Sequence, residues 1–158
     1  MAVRKIVTKE SSILHVVCRP VEHFDAKLHQ LLDDMAETLY KANGVGLAAP
    51  QIGIRRRIAV IDVGEGLIEL INPVILKSSG KQRDVEGCLS CPDEWGYVVR
   101  PNKCTVRAQN RDGEFYEISL EGLGCRCACH EIDHLDGKLF LELVDEFVEM
   151  KEEEDTQN

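Results

Sequence analysis

The segment His130-Glu131-Ile132-Asp133-His134 combines two imidazoles with two carboxylates. On a helix the two histidines lie one turn apart on the same face, with about 5–6 Å between their Cβ atoms, so both can reach one metal ion. Glu131 is rotated by about 100° from His130, which puts its carboxylate beside the metal, where a general base for a water molecule belongs. The segment therefore predicts a metal-dependent hydrolase, although the same pattern also occurs by chance on surface helices.

A catalytic metal site needs a third protein ligand and leaves a further position for water. Cys88, in the segment Glu86-Gly87-Cys88-Leu89-Ser90, is the candidate, because a thiolate lowers the charge of a site that holds a divalent ion. Cys91 leaves two alternatives open. Cys88 and Cys91 are spaced as half of a structural zinc site or as a redox pair, but the redox motif lacks its strand-to-helix context here.

The segment from Gly44 to Gln51, Gly-Val-Gly-Leu-Ala-Ala-Pro-Gln, joins two glycines to small apolar side chains. Glycines let a backbone approach a ligand closely, and Gln51 adds an amide donor to an otherwise apolar loop. The segment is not a phosphate loop, because the Lys-Ser/Thr ending is absent, and its spacing differs from the dinucleotide-binding fingerprint. A helix end followed by a buried turn is the alternative interpretation.

Two helices are predicted to position these segments. The first, amphipathic helix spans 25–43, with Asp25 as its N-cap and Gly44 just past its end. Its apolar face consists of Leu28, Leu31, Leu32, Met35 and Leu39. The second helix spans about 124–136, carries both histidines, and ends at Gly137.

Short strands account for much of the remaining chain. The predicted strands are 57–62, 67–71, 74–77, 103–108 and 114–120. The last two flank Asn110-Arg-Asp-Gly113, which predicts a hairpin. The expected fold is therefore α+β, with short antiparallel strands packed around a central helix that carries the His130–His134 segment.

Length and charge limit the classes of function. A chain of 158 residues is expected to form one domain, with residues 1–144 as a single catalytic domain and 145–158 as an acidic, partly disordered tail. The net charge of −9 argues against a protein that neutralises phosphates along a nucleic acid, so no direct sequence-specific nucleic acid binding is expected. Most of this charge lies in the tail, which holds seven acidic residues and one lysine.

Apolar runs and cysteines indicate the compartment. No run approaches the roughly 18–20 apolar residues that a membrane-spanning helix needs, and residues 1–18 lack the apolar core of a secretory signal. The seven cysteines are odd in number, and three of them alternate between 125 and 129, so they do not form a disulfide framework. We predict a cytoplasmic protein with reduced thiols and no membrane partner.

Taken together, the three segments resemble the peptide deformylase family. Its members carry Gly-x-Gly-Leu-Ala-Ala-Pro-Gln, Glu-Gly-Cys-Leu-Ser and His-Glu-x-x-His in this order, and the chain has all three, at 44–51, 86–90 and 130–134. The similarity extends from the early strands through Leu143. It implies hydrolysis of the N-formyl group from the initiating formyl-methionine of newly synthesised polypeptides, with release of formate.

The resemblance assigns the chemistry to four residues. It implies that Cys88, His130 and His134 bind one divalent metal ion per chain. It also implies that Glu131 takes a proton from water and later gives it to the departing amine. A Cys/His/His set binds Fe(II), Zn(II), Ni(II) or Co(II), and the affinity order alone does not choose among them. The family suggests Fe(II) in the cell, with Zn(II), Ni(II) or Co(II) as replacements.

The resemblance also assigns the residues that hold the substrate, an N-formyl-methionyl nascent peptide. The amide of Gln51 and the backbone N–H of Leu89 would bind the oxyanion, and Gly46 would pair its backbone with the peptide. The residues expected to line the pocket for the methionine side chain are Val45, Cys127 and the aliphatic stem of Arg126.

Some positions depart from the family pattern. Cys129 stands where Gln is usual before the first histidine and cannot offer an amide hydrogen bond, Cys91 stands where a branched aliphatic residue is common, and residues 93–95 fill a loop that varies among relatives. Some bacterial members contact the ribosome through a basic C-terminal helix, whereas residues 151–155 here are mainly acidic. A transient ribosome contact is expected, but not through that mode.

Two alternative functions stay open. A hydrolase of other N-acylated amines would arise from the loop differences near Trp95. A non-enzymatic protein would use Cys88, Cys91 and the two histidines to close a structural metal site. Formate release from a formyl-methionyl peptide, compared with an acetyl-methionyl peptide, would separate the first alternative, and four protein ligands on the metal would indicate the second.

Overall fold

Two antiparallel sheets and two helices make up residues 2–149, the part of the chain that the computed structural model describes. The helices are α1 (Ala26–Lys41) and α2 (Leu123–Leu135). The strands are β1 (Gly46–Ala48), β2 (Ile58–Ile61), β3 (Ile68–Ser79), β4 (Gln82–Cys88), β5 (Cys91–Arg100), β6 (Lys103–Gln109), β7 (Phe115–Glu121) and β8 (Glu146–Phe147). The larger sheet has the order β1-β2-β3-β6-β7 and the smaller one β4-β5-β8, which confirms the predicted α+β class.

Helix α1 forms where its caps and its apolar spacing agree. The Asp25 side chain accepts a hydrogen bond from the Leu28 N–H at 3.1 Å, as an N-cap does. The residue that ends α1 in the left-handed conformation lies one position before the predicted Gly44. Asn43, with φ 57°, is the left-handed residue, and the Gly44 N–H bonds back to the Leu39 carbonyl at 3.1 Å in a Schellman arrangement. The fully or nearly buried apolar residues of α1 are Leu28, Leu32, Met35 and Leu39.

Helix α2 is buried on nearly all sides, with eleven of its thirteen residues buried. It packs against β1, β2 and β7 of the larger sheet and against β5 of the smaller one, so it is central, as predicted. Gly137 ends it with φ 77°, and a Cβ atom there would lie 2.9 Å from the backbone of His15 and Val16. Only glycine satisfies both the conformation and the space. None of the described helices has the length and apolar character that crossing a membrane requires.

The predicted strands at 67–71 and 74–77 are one strand, β3, so their separation by a turn was wrong. Asn72 adopts φ 52° and shifts the register of the ladder, which makes a β-bulge instead of a chain reversal. The Asn72 side chain fixes this bulge, because it accepts from the Val21 N–H at 2.8 Å and donates to the Val21 carbonyl at 3.0 Å. Pro73 fits here because a bulge tolerates a missing N–H donor.

The hairpin of β4 and β5 was missed by the sequence analysis, and the loop expected at 93–95 is wrong. Residues 93–95 lie inside β5, where Trp95 pairs with Gly87 of β4. The pattern of apolar residues in the sequence does not identify these two strands, because they bury charged side chains, Glu86 on β4 and Arg100 on β5. Charged residues that point inward break the apolar-polar alternation by which a half-buried strand is identified.

The beginning of the predicted acidic tail joins the smaller sheet. Strand β8 (Glu146–Phe147) pairs with β5, and Asp145 forms an ion pair with Arg83 at 2.7 Å. The disorder predicted for the tail falls mainly on residues 150–158, which lie outside the described residues. The predicted boundary at residue 144 stays a prediction.

Candidate metal centre

Three side chains from two elements meet beneath the cleft between the sheets. Cys88 comes from the end of β4, and His130 and His134 come from one face of α2. One ligand atom of each lies within 4.8 Å of the others, and Cys88 Sγ is 3.3 Å from His134 Nε2. The group brings together the three residues that the sequence analysis proposed as metal ligands.

Cys91 is not a member of this group. Among the described residues the group has three members, and the Cys91 side chain packs in an apolar cluster with Leu14, Val98 and Phe140. The Cys91 thiol contacts the Cys88 thiol but does not lie within 4.8 Å of the ligand atoms of all three group members. The four residues therefore do not form the compact set that a closed structural zinc site requires. Three ligands beside a cleft are typical of an open catalytic site.

The donor chemistry fits a transition-metal ion. Burial lowers the pKa of His134 well below its ordinary value, which keeps the imidazole neutral and available as a ligand. His130 donates its Nδ1–H to Glu86 Oε1 at 2.6 Å, and this bond leaves Nε2 free. The Cys91 thiol and burial raise the pKa of Cys88, so a metal ion that binds its sulfur displaces the thiol proton.

Glu131 lies in the same cleft with one oxygen that has no bonding partner. Within the described part of the chain, its Oε1 is buried without a hydrogen bond, a costly state that indicates the place of a further polar group. Burial raises the pKa of Glu131 to about 7, with His130 opposing that shift. A carboxyl group that titrates near neutrality can both accept and release a proton.

Gly46 on β1 faces Glu131 and Cys127 across the cleft. A Cβ atom at residue 46 would lie 2.7 Å from Cys127 Sγ and closer still to Glu131 Oε2. The backbone of β1 can therefore approach the carboxylate only because residue 46 is glycine. The Cys127 thiol donates to the carbonyl of Val45, the residue before β1, at 3.4 Å, which ties α2 to the start of this strand.

Gln51 is held with its amide nitrogen toward Cys88. Its Oε1 accepts from the Ala48 N–H at 2.9 Å, and its Nε2 donates to Ser90 Oγ at 3.1 Å and lies 3.5 Å from Cys88 Sγ. Leu89 occupies the turn between β4 and β5, and its side chain packs against the apolar cluster of α1. Ser90, which orients the amide, was not singled out by the sequence.

A buried charge network supports the ligands from behind. Glu86 binds Arg100 with both oxygens at 2.8 and 3.0 Å and receives the Arg126 guanidinium at 2.5 Å. Arg100 also pairs with Asp133 at 2.7 Å. Burial alone would raise the pKa of Glu86, but His130 and Arg100 hold it at about 2, so this carboxylate stays ionised and fixes the His130 ring.

Sequence reasoning gave Glu86 no role, although a signal was present. On a strand, residues two apart share a face, so Glu86 and Cys88 of β4 point to the same side. The signal could be used only with β4 recognised as a strand. Arg126 was expected to contribute its stem to the pocket. It does line the cleft, but its guanidinium turns inward to Glu86 and to the Gln82 and Val98 carbonyls.

A cleft of about 450 Å³ opens beside the candidate metal centre, and Cys88, His130 and Glu131 contribute to its lining. Its walls are largely apolar, and Trp95 and Leu123 contribute to them. The residues proposed to hold the substrate that line it are Val45, Gly46, Gln51, Leu89, Arg126 and Cys127. A small-molecule site of this kind is concave and apolar with a few convergent polar groups.

Comparisons with known proteins agree on one family. A family model described as polypeptide deformylase matches residues 3–150. The peptide deformylase of Caldicellulosiruptor bescii is 55% identical over 96% of this chain and 92% of its own length. That of Agathobacter rectalis is 52% identical over 99% of each chain.

Solved structures give the same result. The peptide deformylase of Legionella pneumophila has a TM-score of 0.88 at 46% identity and covers 91% of this chain and 87% of its own. That of Thermotoga maritima has a TM-score of 0.90 at 38% identity, with 92% and 99% covered. A third, from Ehrlichia chaffeensis, is in complex with actinonin and has a TM-score of 0.89 at 38% identity, with 92% and 90% covered.

Proposed function

This chain belongs to the polypeptide deformylase family, and from that premise we propose how its own residues carry out the reaction. The enzyme is a metal-dependent hydrolase that removes the N-formyl group from the N-terminal formyl-methionine of new polypeptides. Cys88, His130 and His134 hold its metal ion. The observation that carries this proposal is the convergence of their ligand atoms, within 4.8 Å of one another, under a cleft that contains Glu131.

Glu131 moves the proton. When bound, the metal ion supplies a Lewis acid that polarises the formyl carbonyl and makes water a stronger acid. Glu131 accepts the proton of the attacking water and returns it to the nitrogen as the bond between that nitrogen and the formyl carbon breaks. The products are formate and the free amine of methionine. The raised pKa of Glu131, about 7, suits both steps near neutral pH.

Gln51 and Leu89 stabilise the negative charge that develops on the formyl oxygen. The Gln51 amide is oriented before the reaction by Ala48 and Ser90, and the backbone N–H of Leu89 adds a second donor. A preorganised donor of this type lowers the barrier by about 2.7–4 kcal/mol. Gly46 pairs its backbone with the peptide, and the methionine side chain lies against Val45, Cys127 and the stem of Arg126.

The activity test compares two acyl groups on one peptide. Formyl-Met-peptide and acetyl-Met-peptide are incubated with the enzyme, and the released acid and the free amine are both quantified. We expect release from the formyl peptide only, because Gly46, Glu131 and Cys127 approach one another closely where we place the acyl group. Equal release from both peptides would favour the alternative hydrolase of N-acylated amines.

For the metal we propose Fe(II) in the cell, with Zn(II), Ni(II) or Co(II) as replacements. A Cys/His/His set accepts all four, and support for iron comes from the family resemblance. Iron-loaded and nickel-loaded enzyme are prepared without oxygen and then exposed to air. We expect the iron form to lose activity faster, since ferrous iron in an open site is oxidised. Equal decay would instead indicate oxidation of cysteine, for which Cys88 is the first candidate.

We further propose that the enzyme acts in the cytoplasm on nascent chains and contacts the ribosome transiently. The acidic residues at 151–155 favour a contact that does not use a basic C-terminal helix. Co-sedimentation with translating and with empty ribosomes at low and high salt tests this proposal. We expect weak, salt-sensitive binding, and full recovery of the enzyme in the supernatant at every salt concentration would contradict it.

A further inference from the structure

A second group of three ligand atoms lies on the opposite side of α2 from the metal centre. Cys104 of β6 meets Cys125 and Cys129 of α2, and their sulfur atoms lie within 4.8 Å of one another. All three are free thiols with exposed fractions of 4, 0 and 5%. Cys127, between the two helical members, points instead to the cleft. The structure therefore divides the sulfur-rich stretch at 125–129 between two sites.

The thiol triad (Cys104, Cys125 and Cys129) packs mainly against apolar side chains, although Arg100 and Asp133 act electrostatically on Cys129 and Arg126 acts on Cys125. The three side chains belong to the cluster of buried residues between α2 and the larger sheet. Burial raises the pKa of Cys125 to about 12 and also raises that of Cys104. The Cys125 thiol donates to the Pro101 carbonyl at 3.2 Å, so its proton is held in a hydrogen bond. The triad is thus a set of neutral thiols.

The sheet separates the triad from a solvent-filled groove. Cys104 lines a groove of about 460 Å³ at the ends of β3, β6 and β7, whose rim includes Lys77, Ser79, Lys103 and Glu121. The side chains of Lys103 and Thr105 lie on the groove face of β6, whereas the Cys104 side chain lies on the other face, which packs against α2. A small neutral solute therefore reaches the sulfur atoms when the packing between α2 and the sheet opens locally, without passing through the catalytic cleft.

The net charge of the complex that three thiolates form with a bound ion determines which ion fits this site. A site in low dielectric disfavours a net charge. Three thiolates around a divalent ion leave one uncompensated negative charge, and around a monovalent ion they leave two, whereas around a trivalent centre they leave none. Zinc also prefers a fourth ligand, and within the described residues the group has three members.

We propose that Cys104, Cys125 and Cys129 form a binding site for trivalent arsenic, taken up as neutral arsenous acid. Each As–OH bond is replaced by an As–S bond, and each hydroxyl leaves with a thiol proton as water. One arsenous acid and three thiols give one neutral tris-thiolate and three waters. The oxidation state of arsenic does not change and no proton is released, so the exchange buries no charge.

Oxidation to a disulfide is the less favoured chemistry for the triad. Peroxide reacts with thiolates, and a buried thiol with a raised pKa is inert toward it. Arsenous acid condenses with the protonated thiols that are present here. Binding would join β6 to α2 across the core and stabilise the folded state by mass action.

The test uses the metal-loaded, full-length enzyme and arsenite alone. Native mass spectrometry is expected to detect one arsenic per chain, bound with loss of three hydrogens. Cys104→Ala is expected to weaken binding by at least about tenfold or to yield an adduct that keeps one hydroxyl on arsenic. The matched control is Cys18→Ala, which removes a buried thiol outside the triad, and it should bind as the unaltered enzyme does.

Cys88 and Cys91 are the competing thiol pair and need their own control. Cys91→Ala should retain the adduct that has lost three hydrogens. X-ray absorption on the unaltered enzyme counts the sulfur neighbours of arsenic without any substitution, and three are expected. Two sulfur neighbours, no adduct, or an adduct lost in Cys91→Ala and kept in Cys104→Ala would each overturn the proposal. None of these readouts depends on deformylase activity, so the two proposals fail separately.

Discussion

Two groups of three potential metal ligands lie on opposite sides of helix α2, and their surroundings differ. The catalytic group has an ionised carboxylate, Glu86, and two guanidinium groups behind it and an open cleft above it. The thiol triad lies among apolar side chains. Ligand residues of similar type thus become a centre for a charged ion on one side and a site for neutral chemistry on the other, because burial and neighbouring charge set the protonation state.

The comparison also shows what each side contributes to stability. A buried carboxylate that faces two guanidinium groups is costly to desolvate and is a poor source of net stability. The charges behind the catalytic group are therefore best understood as positioning devices for His130. The thiol side consists of small apolar side chains, for which contact with the sheet is the main contribution.

The strongest test of the catalytic side is Glu131→Gln. The amide cannot accept a proton, so we expect kcat to fall by about 10²–10⁴-fold with metal content unchanged. Formate release and elemental analysis measure the two quantities. Glu37→Gln is the matched control. Glu37 also has a buried oxygen without a partner among the described residues, but it lies on α1, far in sequence from Glu131. Turnover near that of the control would show that another group is the base.

Cys88→Ser tests whether the metal centre requires the Cys88 sulfur as a ligand. A hydroxyl does not ionise readily enough to replace a thiolate, so we expect a loss of metal affinity greater than the roughly 10–100-fold typical of outer partners. Chelator competition measures the affinity. Cys91→Ser retains all three ligands and should bind the metal almost normally. Equal metal affinity in the two variants would remove Cys88 from the site.

Glu86→Gln separates positioning from ligation. The amide holds His130 less well, so metal affinity should fall by about 10–100-fold. Loss of the Glu86 charge leaves Arg126 without its carboxylate partner and Arg100 with Asp133 alone, so the free energy of unfolding should fall by about 3–5 kcal/mol. Chelator competition and urea unfolding report these changes. Asp133→Asn, which touches Arg100 only and is partly exposed, should give smaller changes in both. An unchanged affinity in Glu86→Gln would mean that His130 is held by packing alone.

Cys125→Ala gives the smallest expected effect and tests the thiol side. It removes one buried sulfur and one hydrogen bond, so the free energy of unfolding should fall by about 1–2 kcal/mol. Formate release per bound metal should stay unchanged, because the triad faces away from the cleft. A fall in formate release per bound metal, or a loss of metal affinity comparable to that of Glu86→Gln, would show that the two sides of α2 are coupled.

The fold could be predicted where sequence pattern and packing agree. Helix α1 was found from its apolar spacing and from the Asp25 cap, and α2 from its histidines and from Gly137. The hairpin of β6 and β7 has clear alternation around a turn. The sequence predicts a turn at Asn72, where the structure has a bulge, because Asn-Pro is common in turns and in bulges. Only the long-range hydrogen bonds of the Asn72 side chain with Val21 distinguish the two.

The candidate site divides in the same way. Residue type and helical spacing were enough to propose His130, His134 and Glu131, and Cys88 followed from the need for a third ligand. Glu86 and Arg100 were not assigned because their roles depend on a hairpin whose inward charges hide it. Residues that touch the metal have a chemical signature in the sequence, whereas residues that orient them are recognised only once the strands are paired.

The lack of room at Gly46 has a consequence for inhibitor resistance. A ligand that pairs with the backbone of Gly46 makes contacts that no side-chain change can remove directly. Replacement of the glycine itself would push a Cβ atom into Cys127 and Glu131, so it would displace the carboxylate that we propose as the proton carrier. Resistance mutations at residue 46 would therefore reduce the activity of the enzyme as well as the binding of an antibacterial compound that pairs with this stretch of main chain.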